Sequence, residues 1–515
     1  MKPFVFLVAA SFLLGCSRTV TEVEPNDHFT QATPIKSDCT VHGTIATAGD
    51  IDMYRLDVSQ DGGALSLRLG GIRDIDFVIS IQDKDRQEIK RIDETAVGGD
   101  EEALDIGVDK GTYYIALSNK NAAAANPTQV YSLQVKVEAG AGREREPNDK
   151  PLSANILEPG GVIRGHYFPS KNLLAPDKDF IEDDWYRVRV GKVGTYVLNA
   201  DVSEVPKIDP VLEIYDANSY RIKELDGSGA GTPVTLRNFG VHGPADFYLR
   251  LFSRNHAGNP DVPYELLTEL LPYEGKTELE PNDQRQDATP FTEDSMSGNI
   301  FPAGDVDWYK ISISSDAKQI LRAELSAMPD MDLQLTFADE LGNPRLVIDN
   351  MAKEQTEVLT GIGVGKGDYY LVVSEKTKKA SNGRRAYTLS KSLVPLQPGL
   401  EYESNDSSAT AQQIKIGDSL DGYIAPKGDV DWFEFNVYKK GILSAEITGV
   451  LNVRMTAALY DQDSRQLRAE TAKKPGDSIA FDKDLEAGTY SIKLQAAGPD
   501  ENNVRDKYTL RLKMR

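Results

Sequence analysis

Apolar and polar residues alternate in short stretches along most of the chain. Leu65, Leu67 and Leu69, for example, are separated by Ser66 and Arg68, and such alternation is typical of β-strands that bury one face and expose the other. Clusters rich in Asp, Asn and Ser separate these stretches, as hairpin loops do. Three such clusters are residues 83–85, 216–219 and 461–464. The pattern predicts an all-β chain built from antiparallel β-sandwiches.

One acidic motif, Glu-x-Glu-x-Asn-Asp, occurs four times. Its Asn is residue 26, 148, 282 and 405, so the copies lie 122, 134 and 123 residues apart. Each copy is followed by a glycine, by an acidic pair next to an aromatic or Met residue, and by a Tyr-rich strand. The second copy carries an insertion around residues 169–180. The repetition predicts four tandem domains, with the bounds 21–140, 143–272, 276–394 and 399–515.

The repeated unit resembles the bacterial pre-peptidase C-terminal (PPC) domain and is similar to the collagen-binding domains of clostridial collagenases. The resemblance rests on the Glu-Pro-Asn-Asp opening, the Gly-Asp-x-Asp-Trp-Tyr strand and the Gly-Thr-Tyr-Tyr strand, and it covers nearly the whole chain. It implies four tandem antiparallel jelly-roll-like β-sandwich domains. It also implies that each motif binds calcium together with the downstream acidic pair, whose spacing departs from the family pattern.

The candidate calcium ligands are therefore the motif and the later acidic pair of each repeat. They are Glu22, Glu24, Asn26, Asp27, Asp50 and Asp52; Glu144, Glu146, Asn148, Asp149, Glu182 and Asp184; Glu278, Glu280, Asn282, Asp283, Asp305 and Asp307; and Glu401, Glu403, Asn405, Asp406, Asp429 and Asp431. Five carboxylates brought together would repel one another unless a cation neutralised them. Oxygen donors without His or Cys favour Ca²⁺ over Zn²⁺ or copper.

The alternative interpretation is that the motif is only a turn and a cap with solvated carboxylates. Capping explains Asp27 but does not explain Glu22 and Glu24 together, which favours calcium. The second repeat, with Glu182 in place of the first Asp, is the one expected to differ.

The N-terminus predicts an export signal. A lysine is followed by an apolar run from Phe4 to Gly15 that is too short to span a bilayer. Its end, Leu-Leu-Gly-Cys, resembles the bacterial lipobox, which implies that residues 1–15 are removed and that Cys16 carries lipid. An ordinary signal peptide cleaved nearby is the alternative. Because Ser17 permits outer-membrane placement, we expect a lipid-anchored protein of the bacterial cell envelope, in the outer membrane and facing the periplasm or the surface.

Charge and composition exclude some partners. The chain has 58 Lys and Arg against 80 Asp and Glu, a net charge of −22, which argues against nucleic acid binding because phosphate contacts need basic residues. Cys39 is the only cysteine besides Cys16, so we predict a buried free thiol rather than a disulfide. Trp185, Trp308 and Trp432 share one repeat position with Met53; that position is predicted to lie in the core, with a carbohydrate platform as the alternative.

Nothing in the sequence indicates catalysis. The 5 histidines do not recur at one repeat position, and nucleophile-elbow, Walker and dinucleotide motifs are absent. We expect a non-catalytic protein that displays four calcium-stabilised modules for adhesion or for binding an unknown protein or polysaccharide ligand, since repeated weak sites raise avidity. Two alternatives stay open: a structural spacer or scaffold of the envelope, and an accessory module of a separately encoded secreted peptidase.

Overall fold

The computed structural model describes residues 18–168, 183–227, 229–349 and 352–515. The chain divides into two compact units. The first contains repeats 1 and 2, and the second contains repeats 3 and 4 from Leu271 onward together with the short segments Thr195–Val197 and Arg237–Gly240. Among the described residues, no helix is long and apolar enough to cross a membrane.

Repeat 1 is a sandwich of two five-stranded sheets, in the orders β1-β3-β10-β5-β8 and β2-β4-β9-β6-β7. Its strands are β1 (Arg18–Thr21), β2 (Thr33–Ile35), β3 (Cys39–Ile45), β4 (Ile51–Val58), β5 (Gly63–Leu69), β6 (Phe77–Gln82), β7 (Glu88–Ile92), β8 (Glu101–Val108), β9 (Gly111–Asn119) and β10 (Asn126–Ala139). Inward-facing residues of both sheets, such as Leu67 and Leu117, form one core, as alternating strands require.

Repeat 2 contains a single seven-stranded sheet in which β11 pairs with β13 off the main order β12-β17-β13-β16-β14-β15. Its strands are β11 (Asn155–Leu157), β12 (Val162–Tyr167), β13 (Asp184–Val202), β14 (Pro210–Tyr215), β15 (Arg221–Asp226), β16 (Val234–Ser253) and β17 (Asn259–Pro272), after a short 3₁₀ turn at Pro151–Ser153. The strands β13 and β16 are 19 and 20 residues long. Each of these two long strands takes the place of two consecutive strands of repeat 1. Because those consecutive strands belong to different sheets in repeat 1, the long strands join the two layers of repeat 2 into one sheet.

Repeats 3 and 4 return to the two-sheet arrangement. In repeat 3, after a 3₁₀ turn at Arg285–Asp287, the strands are β18 (Thr289–Pro290), β19 (Ser295–Gly298), β20 (Val306–Ile313), β21 (Gln319–Leu325), β22 (Leu333–Ala338), β23 (Pro344–Ile348), β24 (Glu357–Val364), β25 (Gly367–Glu375) and β26 (Tyr387–Pro395). In repeat 4 they are β27 (Gln412–Gln413), β28 (Ser419–Ile424), β29 (Val430–Val437), β30 (Gly441–Ile447), β31 (Met455–Asp461), β32 (Gln466–Thr471), β33 (Ile479–Leu485), β34 (Gly488–Ala496) and β35 (Asn503–Met514). A five-stranded sheet packs on a four-stranded sheet in both.

The predicted all-β sandwich class is confirmed. The alternating residues Leu65, Leu67 and Leu69 are buried, whereas Arg68 between them is exposed. Cys39 is a buried free thiol that packs in the core of repeat 1. The four domain bounds remain a prediction, and Cys16, Glu182 and the insertion at residues 169–180 lie outside the described residues.

The prediction that the tryptophan position belongs to the core is confirmed for Trp185, which is buried, but it was wrong for Trp308 and Trp432, which are only half-buried. Along β20, Asp307 and Tyr309 face inward, so Trp308 between them points to the opposite face. There it packs in a small satellite cluster with Tyr370. Trp432 is likewise half-buried outside the core of its repeat, beside Tyr460. The strand's twofold period explains the result, because a residue flanked by two inward-facing positions must face outward.

Candidate metal centre

The acidic motif is attached to the strand that carries the later acidic pair. In all four repeats the backbone N–H that follows this pair donates a hydrogen bond to the carbonyl of the motif asparagine. The bonds are Met53 to Asn26 (3.2 Å), Trp185 to Asn148 (3.1 Å), Trp308 to Asn282 (3.1 Å) and Trp432 to Asn405 (3.0 Å). This bond fixes the register between motif and strand, and so brings their carboxylates together.

The carboxylates form two overlapping groups in repeats 1 and 3. Within each group, one oxygen from every residue lies within 4.8 Å of the others. The groups are Glu22–Glu24–Asp52 and Glu24–Asp27–Asp50 in repeat 1, and Glu278–Glu280–Asp307 and Glu280–Asp283–Asp305 in repeat 3. We call the first group of each pair the inner group and the second the outer group. The middle glutamate belongs to both, so two cations held here would share it.

Several oxygens in these clusters are buried and accept no hydrogen bond. The second Asp of the acidic pair has one oxygen of this kind in three repeats: Asp52 Oδ1, Asp307 Oδ1 and Asp431 Oδ1. The side-chain oxygens of the motif asparagines Asn26, Asn282 and Asn405 are also buried and unbonded. A buried polar atom without a partner costs about 1–3 kcal/mol. The same orphaned atoms recurring in separate repeats fit a cation as the absent partner, and carboxylate and amide oxygens suit Ca²⁺.

Burial and mutual repulsion raise the pKa values of these carboxyl groups. Burial is the largest cause, and neighbouring carboxylates add to it. The pKa is raised to about 8 for Asp52, about 8 for Glu278, about 9 for Asp305 and about 7 for Asp429. Without a cation the clusters therefore retain protons near neutral pH, and a bound cation would displace them.

Buried tyrosines orient the inner carboxylates, one from the last strand in every repeat and a second one in repeats 2 and 3, and sequence reasoning assigned them no role in the site. In repeat 3, Tyr387 Oη donates to Asp307 Oδ2 (2.6 Å) and Tyr309 Oη donates to Glu278 Oε2 (3.2 Å). The bond of Tyr387 to Asp307 has a counterpart in the other repeats: Tyr131 donates to Asp52, Tyr264 to Asp184 and Tyr508 to Asp431. In repeat 4 the second tyrosine is replaced by Phe433. The recurrence of one tyrosine in the last strand of each repeat was the available signal.

The glycine that recurs after each motif has a steric reason. A Cβ atom on Gly43 would lie 2.2 Å from Glu22 Oε2 and 2.3 Å from Tyr131 Oη. A Cβ atom on Gly422 would clash in the same way with Tyr508 Oη. The strand can pass the first glutamate and the tyrosine only without a side chain at this position.

The middle glutamate also joins consecutive repeats within each unit. The Glu146 N–H donates to the Asp105 carbonyl (2.9 Å), and the Glu146 carbonyl accepts from the Gly107 N–H (2.8 Å), both on β8 of repeat 1. Glu403 makes the corresponding pair with Gly361 and Gly363 on β24 of repeat 3. The cluster therefore lies where one repeat meets the next, and Glu146 and Glu403 are buried.

The cluster of repeat 2 is surrounded differently. Lys90 Nζ, on β7 of repeat 1, lies 3.6 Å from Glu146 Oε1. His166 Nδ1 lies 2.8 Å from Asp105 Oδ2 and 3.9 Å from Glu144 Oε1. Glu144, Glu146, Asn148, Asp149 and Asp184 come together as the sequence predicts, whereas the predicted ligand Glu182 lies outside the described residues.

No protein-family model and no curated protein sequence matches the chain. Among solved structures, it is similar to the pre-peptidase C-terminal domain of a collagenase from Bacillus anthracis, at 17% identity over 20% of this chain and 94% of that one, with a TM-score of 0.18. It is also similar to the BSP domain of a biofilm associated protein, at 10% identity over 95% of this chain and 96% of that one, with a TM-score of 0.14. With TM-scores below 0.5, these likenesses support no assignment of function.

Proposed function

We propose that the carboxylate clusters bind calcium and that the protein is a non-catalytic, lipid-anchored array of calcium-stabilised β-sandwiches. The observation that carries the calcium proposal is the recurrence of buried, unbonded oxygens at the same positions, such as Asp52 Oδ1, Asp307 Oδ1 and Asp431 Oδ1. A turn and a cap would leave those oxygens without a partner, whereas a hard cation satisfies them.

Each cluster of repeats 1 and 3 contains two groups of three carboxylates, and each group can supply the oxygen ligands of one calcium ion. The inner group and the outer group share the middle glutamate, Glu24 or Glu280. The inner position would use Asp52 or Asp307, which a tyrosine hydroxyl orients. The outer position would use Asp27 and Asp50, or Asp283 and Asp305. When bound, calcium neutralises the carboxylates, so that they stabilise the native state instead of repelling one another.

Display of ligand-binding modules is the cellular role we favour. Four copies of one module raise the effective concentration of a weak site on a shared ligand. With Cys16 as the lipid anchor in the outer membrane, the modules would meet a protein or polysaccharide ligand outside the cell or in the periplasm. Collagen-coated and polysaccharide-coated plates with calcium or with EDTA test this role: calcium-dependent retention supports it, and equal retention of a denatured control contradicts it.

A structural spacer of the envelope is the second candidate. It is favoured by the backbone pairing of Glu146 with β8 and of Glu403 with β24, since paired backbone restricts motion between consecutive repeats. A rigid, elongated particle in small-angle scattering without any retained ligand would favour the spacer over the display role.

Thermal unfolding tests the calcium proposal. We expect the purified protein to unfold at a higher temperature in millimolar calcium than in EDTA, because a ligand that binds only the native state stabilises it by about 2.7 kcal/mol at 100 times its Kd. Magnesium at the same concentration is the control, since it prefers smaller octahedral sites. Identical curves in calcium and EDTA would refute the proposal.

A further inference from the structure

A lysine of repeat 1 reaches the carboxylate cluster of repeat 2. The Lys90 side chain is only 14% exposed, and the Glu146 side chain it approaches is 2% exposed. Its Nζ is 3.6 Å from Glu146 Oε1. Buried lysines require compensating negative charge, and the cluster supplies it.

The influence of this ammonium extends to the outer part of the cluster. Although burial raises the pKa of Asp149 and of Asp184, Lys90 acts against that rise at both carboxyl groups. Glu146 and Asp149 correspond to Glu24 and Asp27, two members of the outer group in repeat 1. The lysine charge therefore reaches Asp149, which stands where Asp27 contributes to the outer group, and it also reaches Asp184, which corresponds to Asp52 of the inner group.

The motif asparagine of repeat 2 is satisfied within the protein. Its hydrogen-bonding environment orients the Asn148 amide so that Nδ2 donates to Glu146 Oε2 (3.1 Å) and to Asp184 Oδ1 (3.3 Å). In repeat 1, by contrast, neither the nitrogen nor the oxygen of the Asn26 amide has a partner. The donors of repeat 2 are thus partly saturated by groups of the chain itself.

Strand register identifies the residue that corresponds to Lys90 before repeat 4. Lys90 lies opposite Ile81 on β6, and Ile81 lies opposite Ile115 on β9. In repeat 3 the same path leads from Leu371 on β25 through Phe337 on β22 to Leu346. Leu346 packs on the apolar core of repeat 3 and carries no charge. At the position of Lys90, the repeat 3–repeat 4 junction therefore carries a leucine in place of the lysine.

We propose that the ammonium group of Lys90 takes the place of the outer calcium ion in repeat 2, so that this cluster binds fewer calcium ions, and more weakly, than the cluster of repeat 4. This inference rests on the proposed calcium binding. It makes Lys90 the residue that sets the metal content of a site belonging to the next repeat.

Native tryptophans make the test specific to one repeat. Trp185 follows Asp184 and Trp432 follows Asp431, so each can sensitise the luminescence of terbium bound in its own cluster. In the full chain, W308F/W432F leaves Trp185 to report repeat 2, and W185F/W308F leaves Trp432 to report repeat 4. Terbium is the probe, and calcium is added as the competitor.

We expect Lys90→Met in the Trp185 background to bind terbium at least about tenfold more tightly, because a nearby positive charge opposes the incoming cation. Lys90→Arg keeps the charge and should keep the wild-type affinity. Lys84→Met is the matched control, since Lys84 is exposed and pairs with its neighbour Asp85 in the same hairpin loop. If Lys90→Met unfolds in EDTA, calcium should restore its folding, which the wild-type chain does not require.

The outcomes separate the two proposals. Unchanged terbium affinity in Lys90→Met, with normal binding reported by Trp432, would overturn the role of Lys90 and leave calcium binding intact. Absence of calcium-competed luminescence from both Trp185 and Trp432 would overturn calcium binding itself.

Discussion

Repeats 2 and 4 carry the same acidic motif on the same strand register, yet their clusters have different surroundings. In repeat 2, Lys90 faces Glu146 and a histidine lies near Glu144. In repeat 4, the charges that act most strongly on Glu401 and Glu403 are those of other carboxylates, among them Asp406 and Asp429. The motif thus assembles the donors, while a residue of the preceding repeat decides how much positive charge the cluster still needs.

The largest expected effect is that of pH on the protein without calcium. The pKa of Asp429 is raised to about 7 in the folded state, so the folded state holds this proton more tightly than the unfolded state does. Its stabilisation is complete below about pH 4 and is lost as pH rises through 7, at about 1.4 kcal/mol per unit of pKa shift. In EDTA, the unfolding midpoint reported by Trp432 should fall between pH 5 and pH 8.

Two controls test whether this pH effect comes from the protonated cluster of repeat 4. The midpoint reported by Trp185 should fall less, because Lys90 opposes the rise in the pKa of Asp149. Saturating calcium should flatten both profiles, since the ion replaces the protons. A midpoint that rises with pH in EDTA would contradict the account.

Neutralising one carboxylate should have opposite effects with and without calcium. Asp431→Asn preserves the shape of the side chain and an acceptor for Tyr508, whose hydroxyl lies 2.8 Å from Asp431 Oδ2. In EDTA the variant should be more stable by about 1 kcal/mol, because Asn is neutral without taking up the proton that burial makes Asp431 retain. In calcium it should lose about 2.7 kcal/mol of ligand stabilisation. Denaturant unfolding measures both values.

Asp463→Asn, in an exposed hairpin of the same repeat, is the control and should change neither value. Asp184→Asn in repeat 2 should also gain stability in EDTA and lose it in calcium, and both changes should be smaller than those of Asp431→Asn. Equal losses in Asp184→Asn and Asp431→Asn would remove the contrast between the two repeats.

Sequence periodicity and repetition predicted the β-sandwich class and the set of residues that gather at each cluster. The alternation of Leu65, Leu67 and Leu69 indicated a half-buried strand, and the fourfold motif indicated which residues supply the oxygen atoms of each cluster. The influence of Lys90 was not predictable, because strand pairing between repeats, rather than sequence proximity, brings it to Glu146. The outward position of Trp308 was misjudged because both strand faces contain apolar residues, so hydrophobicity alone does not identify the core face.

Removing a tyrosine hydroxyl should cost more in repeat 4 than in repeat 2. Phe433 stands where the other repeats have a second tyrosine, so Tyr508→Phe deprives Asp431 Oδ2 of its phenol donor. We expect a loss of about 1.5 kcal/mol in calcium, typical of a hydrogen bond to a charged group. Tyr186→Phe should cost less, since the Tyr264 hydroxyl still lies 2.8 Å from both Glu144 Oε2 and Asp184 Oδ2 and can donate its proton to either. Equal losses would show that the hydroxyls do not orient the ligands.

The smallest expected effect comes from transplanting the lysine. Leu346→Lys places an ammonium at the position that corresponds to Lys90. Terbium binding reported by Trp432 should weaken about fivefold, or about 1 kcal/mol, while Leu346→Met leaves it unchanged. Weakening in both variants would point to lost packing rather than to charge.

Calcium bound per chain, measured by equilibrium dialysis of the purified protein at millimolar calcium, tests the central claim most directly. We expect at least one ion per repeat in the wild-type chain, with most of that binding abolished in the variant E24Q/E146Q/E280Q/E403Q, which neutralises the middle glutamate of every cluster. Absence of saturable binding, or equal binding by the wild-type chain and the quadruple variant, would contradict it.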